Sequence, residues 1–145
     1  VVRVIHSDLE LWLTKFIRSE LTKRSEPFTD GVFVSNSEWV KPPDGGTRPE
    51  RQIIVRDDSG PKLSVVSKEC QVGISVLAGT KEMPKESKDL ALLLMAICEG
   101  APGIEKDNPV AAVTDANGPY SVLEDSSYAR FYFTITFIVS GQRLA

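Results

Sequence analysis

The run RFYFTITFIVSG, from Arg130 to Gly141, constrains this chain more than any other stretch. On an extended backbone Phe131, Phe133, Ile135, Phe137 and Val139 fall on one side, and Tyr132, Thr134, Thr136 and Ile138 on the other. A helix would scatter the same residues around its circumference. β-branched and aromatic side chains fill nearly every position, which suits a pleated, half-buried surface. Burying one large apolar side chain is worth roughly 1.5–3 kcal/mol, so a face carrying five of them can anchor a sheet. The run is therefore read as a long strand of the main sheet, whose aromatic face needs covering.

Two helical stripes can cover it. Leu9, Trp12, Leu13, Phe16, Ile17 and Leu21 recur at three- and four-residue spacing, which predicts a helix from Asp8 to Lys23 ending before Pro27. Ser7 followed by Glu10 reads as a capping box at its start. A second helix is expected to open near Pro84, bury Leu90, Leu93, Leu94, Ile97 and Cys98, and stop at Gly100 and Pro102. Leu92 and Met95 lie off that stripe and make this helix unusually apolar.

Gly31–Ser35 reads as a short strand, and Arg51–Arg56 as the next. Asp57–Pro61 supplies turn chemistry between it and Lys68–Leu77, where Cys70, Val72, Ile74 and Val76 alternate with Gln71, Gly73 and Ser75. Val110–Thr114 and Tyr120–Leu123 read as two short strands separated by a turn at Asn117–Gly118–Pro119. Between the first two strands lies a proline- and glycine-rich insert, Asn36–Glu50, longer than most connections in compact domains. The order helix, strand, insert, strand, strand, helix, strand, strand implies an α+β fold. A largely antiparallel or mixed sheet carries two amphipathic helices on one face. At 145 residues the whole chain, 1–145, is read as a single domain.

The chemistry of a catalyst is hard to find. His6 is the only histidine and is expected in a mobile terminal segment, read as a surface residue rather than a general base. Asp57 and Asp58 are adjacent and explained as turn formers. Gly79–Thr80–Lys81 lacks the glycine spacing of a phosphate loop. Cys70 and Cys98 are too few and too far apart for a disulfide framework or zinc site, and read as buried free thiols. No cofactor, metal site or catalytic residue is expected, and the chain is read as a non-enzyme. The net charge of −3, with Glu10, Glu20 and Glu26 interleaved among Lys15, Arg18, Lys23 and Arg24, argues against a dedicated nucleic-acid binder. No apolar run approaches the roughly 20 residues of a membrane span, and the opening residues lack the basic region followed by an apolar core that a secretory signal shows. The first residue is not Met, so the start is expected to be processed or incomplete.

Four stretches in this order carry a family resemblance: SDLELWLTKFIRSEL, RQIIVRDDSGP, VGISVLAGT leading into KDLALLLMAI, and NGPYSV followed by RFYFTITFIV. Together they resemble the tail terminator (tail-completion) proteins of long-tailed bacteriophages and cover most of the chain outside the insert and the termini. The resemblance implies a small α+β structural protein of the virion, assembled in the host cytoplasm, with Asn36–Glu50 as the segment that follows the family's first strand. It implies a homo-oligomer, a ring of six at the head-proximal end of the tail tube. The ring's partners are the major tail-tube protein and the head–neck connector or stopper. Phage DNA would pass its lumen without specific binding. It carries over no catalytic residues.

Within the insert, Trp39, Lys41, Pro42 and Pro43 are read as a contact surface for a neighbouring subunit or the adjoining ring. Proline-rich backbone loses little entropy on ordering, and Trp is a common interface anchor. The alternative is that Trp39 folds back over its own sheet edge. At the level of function, a neck stopper, a tail-tube subunit and a small ligand-binding or enzymatic α+β domain stay open. No uninterrupted long hairpin of the kind a tube subunit uses is evident.

Overall fold

The computed structural model describes residues 2–144. Five strands form the main sheet: β2 Val32–Ser35, β3 Arg51–Asp57, β4 Ser67–Ala78, β5 Val110–Val122 and β6 Ala129–Ser140. Their spatial order is β2-β3-β4-β6-β5. β2 runs parallel to β3, and every other pair is antiparallel. Helices α1, Leu9–Thr22, and α2, Lys85–Glu99, pack on one face, α1 over β2 and β3 and α2 over β4, β5 and β6. The α+β architecture read from the sequence is the one observed.

The face of β6 that carries Phe131, Phe133, Ile135, Phe137 and Val139 is buried against the helices. Cys70, Val72, Ile74 and Val76 of β4 and Ile53 and Val55 of β3 extend the same layer. Leu9, Leu13, Ile17 and Leu21 come down from α1, and Leu90, Ala91, Leu94 and Cys98 from α2. Of the expected α2 stripe, Leu93 and Ile97 sit at the margin, Met95 also packs there, and Leu92 points outward. Ser87 is buried in this layer because its hydroxyl donates to the carbonyls of Val76 (3.2 Å) and Ala129 (2.9 Å), tying α2 to the ends of β4 and β6.

Several expectations need correction. The capping box does not form. Asp8 is the N-cap, accepting from Leu11 N–H at 3.0 Å. Glu10 is taken by tertiary partners: one carboxylate oxygen accepts from Asn36 Nδ2 (2.8 Å) and the other from Asp57 N–H (2.9 Å). The turn expected at Asn117–Gly118–Pro119 is absent, and both short segments belong to the one strand β5. The turn residues are absorbed as one of three register shifts along β6, where Gly118 (φ +108°) lies against the Tyr132 carbonyl. Consequently β5 and β6 form a long, bulged hairpin that the sequence hides. The N-terminal segment, expected to be mobile, is tied down as well: β1, Val4–Ile5, pairs antiparallel with β7, Gln142–Arg143.

Candidate functional site

The insert leaves β2 at Ser35, crosses to the sheet face opposite the helices, and returns to β3 at Arg51. It is held by a polar hub at the head of β3. Gln52 alternates with the core residue Ile53 and points away from the helices, yet it is only 1% exposed because the insert covers it. Its side-chain oxygen accepts from Trp39 N–H at 2.9 Å, and its amide donates to Tyr128 Oη at 3.0 Å. The Tyr128 hydroxyl in turn donates to the Pro49 carbonyl. Arg48 lies over the Tyr128 ring, 3.9 Å from its centroid, and donates to Ser127 Oγ at 2.7 Å. Both roots of the insert are therefore fastened to one buried amide and one buried phenol.

Inside the insert the chain packs on itself. Gly45 N–H closes a turn onto the Pro42 carbonyl at 3.0 Å. A methyl group at Gly46 would sit 3.6 Å from Pro42 Cδ and 3.8 Å from Trp39 Cζ2, so the tryptophan and proline rings flank that glycine. Gly45 (φ +97°) and Gly46 (φ +142°) adopt backbone that L-residues rarely take. Trp39 is thus half-buried and folded back on its own chain, while Lys41, Pro42 and Pro43 are exposed beside Val40, itself 79% exposed. The four residues read as a contact surface divide into a tryptophan that shapes the loop and a tip that faces solvent.

Beyond the insert, the face opposite the helices is uncovered. Ile54, Arg56, Gly73, Ser75, Tyr120, Val122, Arg130 and Tyr132 line a shallow depression of about 410 Å3 there. Tyr132 lies across Gly73, where any Cβ would collide with its ring, and meets Tyr120 edge-on at 5.8 Å between centroids. Burial, then the nearby Asp58 carboxylate, raises the Tyr132 phenol above its ordinary pKa. The charges on this face are internally matched: Arg130 pairs with Glu124 (3.1 Å) and donates to Ser75 Oγ (3.0 Å), and Arg56 pairs with Asp58 (2.9 Å). Burial works against the Glu124 carboxylate, but hydrogen bonds from Ser126 and Arg130 hold it below the usual range. A surface of tyrosines and neutralised ion pairs suits contact with protein.

The remaining reactive side chains lie apart. His6 is half-buried where β1 meets β7, and its Nδ1 is enclosed without a hydrogen-bond partner. Cys70 and Cys98 are buried free thiols, and burial, then Glu99, pushes Cys98 up to about 12. Among the described residues, no group of three or more His, Cys, Asp or Glu could hold a metal ion, and no helix is long and apolar enough to cross a membrane. Sequence reading missed Gln52, Tyr128 and Arg48. A polar residue directly ahead of the apolar run Ile53–Val55 was the only signal for Gln52, and nothing local marked the other two.

This geometry defines a two-layer α+β domain with one covered and one bare sheet face and a self-packed arm fastened to the bare side. No protein-family model matches the chain, and no curated protein matches it.

Proposed function

We propose that the chain is a tail terminator: a structural subunit whose copies close into a ring on the head-proximal end of a phage tail tube. There the ring stops tube growth and joins the tail to the head–neck connector. The reading rests on the sequence resemblance to that family and on one structural observation. The insert is ordered by its own chain through Gln52 and Tyr128, and it holds Val40, Lys41, Pro42 and Pro43 away from the core. A contact element ordered before binding loses less entropy on docking, which favours assembly over a loose tether. The bare sheet face offers a second surface without strong net charge. The protein acts in the virion as an oligomer, and DNA crosses its lumen without a basic stripe to retain the phosphates.

A tail-tube subunit is the second reading, and the β5–β6 hairpin favours it. Nine of the thirteen residues of β5 have partners in β6, and the strand leaves its other edge open, as a strand that continues a sheet into a neighbour would. Deleting the gene from a phage that carries it separates the two. Loss of a terminator leaves filled heads unattached and tails of uncontrolled length, whereas loss of a tube subunit leaves no tails. Attached tails of normal length would refute both.

A further inference from the structure

We infer that the exposed insert tip of one copy docks into the acidic, aromatic-floored groove between α1 and α2 of the next copy. This inference rests on the reading of the chain as a self-assembling subunit and names the surfaces that meet. The groove encloses about 530 Å3 between the helices and the loop that follows α2. Its floor is Trp12 stacked on Phe16, with centroids 5.0 Å apart and planes 11° from parallel. Both rings remain only partly buried against the core. Its rim carries Glu20, Glu105 and Asp107, and no Lys or Arg lines it. Glu20 shares its charge with Lys23 at 3.2 Å in an exposed pair. Among the described residues Glu105 and Asp107 have no ion-pair partner within 4.0 Å. Ile104, beside this rim, is fully exposed.

The insert tip has the complementary chemistry. Lys41 is the one cation between Val40 and Pro43, and it is flanked on both sides by exposed apolar residues. An ammonium entering the groove meets three carboxylates and the face of an indole, which attracts cations through its quadrupole. Val40 and the two prolines supply apolar surface for Ile104 and the ring edges. Asp44 is exposed at the corner of the turn that Gly45 N–H closes onto the Pro42 carbonyl, so the contact is led by Lys41 and the apolar residues on either side of it. The insert is fastened through Trp39 and Gln52 to the sheet face away from the helices, and the groove lies in the helix layer on the other side. Two different patches on opposite sides make a head-to-tail contact, the type that generates rings when the rotation closes.

Charge exchange tests this. The variants Lys41→Glu and Glu105→Lys/Asp107→Lys alter exposed side chains only, and circular dichroism checks that both stay folded. Sedimentation equilibrium is run on the full chain up to about 1 mM, the range in which a weak contact populates dimers. The wild type self-associates, each variant does so about tenfold more weakly or worse, and a 1:1 mixture of the two recovers association because their charges are complementary. Variants that associate like the wild type, or a mixture no stronger than its components, would overturn the docking. So would a wild type that stays monomeric throughout, yet that result leaves the terminator reading to the tail phenotype of the deletion.

Discussion

Replacing Gln52 by Leu should release the insert while leaving the sheet in place. The side chain is 1% exposed and holds two partners, so the substitution removes two hydrogen bonds with little change in volume. Trp39 N–H is left without an acceptor, which costs about 1–3 kcal/mol for a buried donor. Tyr128 keeps its bond to the Pro49 carbonyl, so its loss is that of one neutral hydrogen bond, about 0.5–1.5 kcal/mol. Together these give about 2–4 kcal/mol, less whatever leucine recovers by apolar burial. At roughly 3 °C per kcal/mol for a chain of this size, the melting temperature should fall by about 6–12 °C. Hydrogen exchange gives the more specific readout. The amides of residues 39–50 should lose more protection than the global loss of stability accounts for, while those of β4 and β6 lose no more than that. Tyr128→Phe should act in the same direction, and the double variant should cost less than the sum because both side chains belong to one network. An unchanged midpoint together with unchanged exchange at Trp39 would show that the hub does not hold the insert.

Phe133→Ala and Phe137→Ala should each cost about 3–5 kcal/mol, since both rings are fully buried, and Thr134→Ala on the opposite face much less; urea midpoints decide this, and three similar values would place the face wrongly. Trp39→Ala should leave the global midpoint nearly unchanged, because its ring packs on Pro42 and Gly46 rather than in the core, but should impair assembly onto tails; a large loss of monomer stability with assembly intact would contradict that division. Burial, then Lys68 and Lys62, lowers the His6 pKa below its ordinary 6.5 in the folded chain. The unfolded chain therefore binds the proton more tightly, and stability from neutral His6 is full above about 6.5 and lost as the pH falls through the folded value. His6→Gln should flatten the acid side of a plot of melting temperature against pH, and an unchanged slope would remove His6 as its source.

How much was legible depends on the range of the signal. The buried face of β6 and the stripes of α1 and α2 repeat with their own structural period, so they could be read position by position. The reversal between β3 and β4 was expected at Asp57–Pro61 but lies further on, at Leu63–Ser67, because Asp58 and Pro61 still bond to Gln71 and Glu69 across the pair and Lys62 bridges Lys68. The start of α1 shows where local rules stop. Ser7 and Glu10 have capping-box spacing, but Glu10 finds better partners in Asn36 and Asp57, far away in sequence. Asn117–Gly118–Pro119 failed similarly. Pairing along the whole of β6 outweighed turn chemistry, and the irregularity was stored as a bulge. In the site, Trp39 stood out because a large ring in a proline-rich loop demands an explanation. Gln52 and Tyr128 did not, since they are 76 residues apart and meaningful only as a pair. Likewise Gly73 looks like one more small residue in an alternating strand until Tyr132 is seen lying across it.

The most direct test of the account is made at the growing end of a tube. Purified protein is added to tail-tube subunits polymerising in vitro, and tube lengths and ends are measured by electron microscopy. The account predicts that growth stops soon after addition, with a ring of this chain on one end of each tube. It also predicts that Lys41→Glu loses this effect while remaining folded. Tubes that keep lengthening as in its absence, with bare ends, would contradict it.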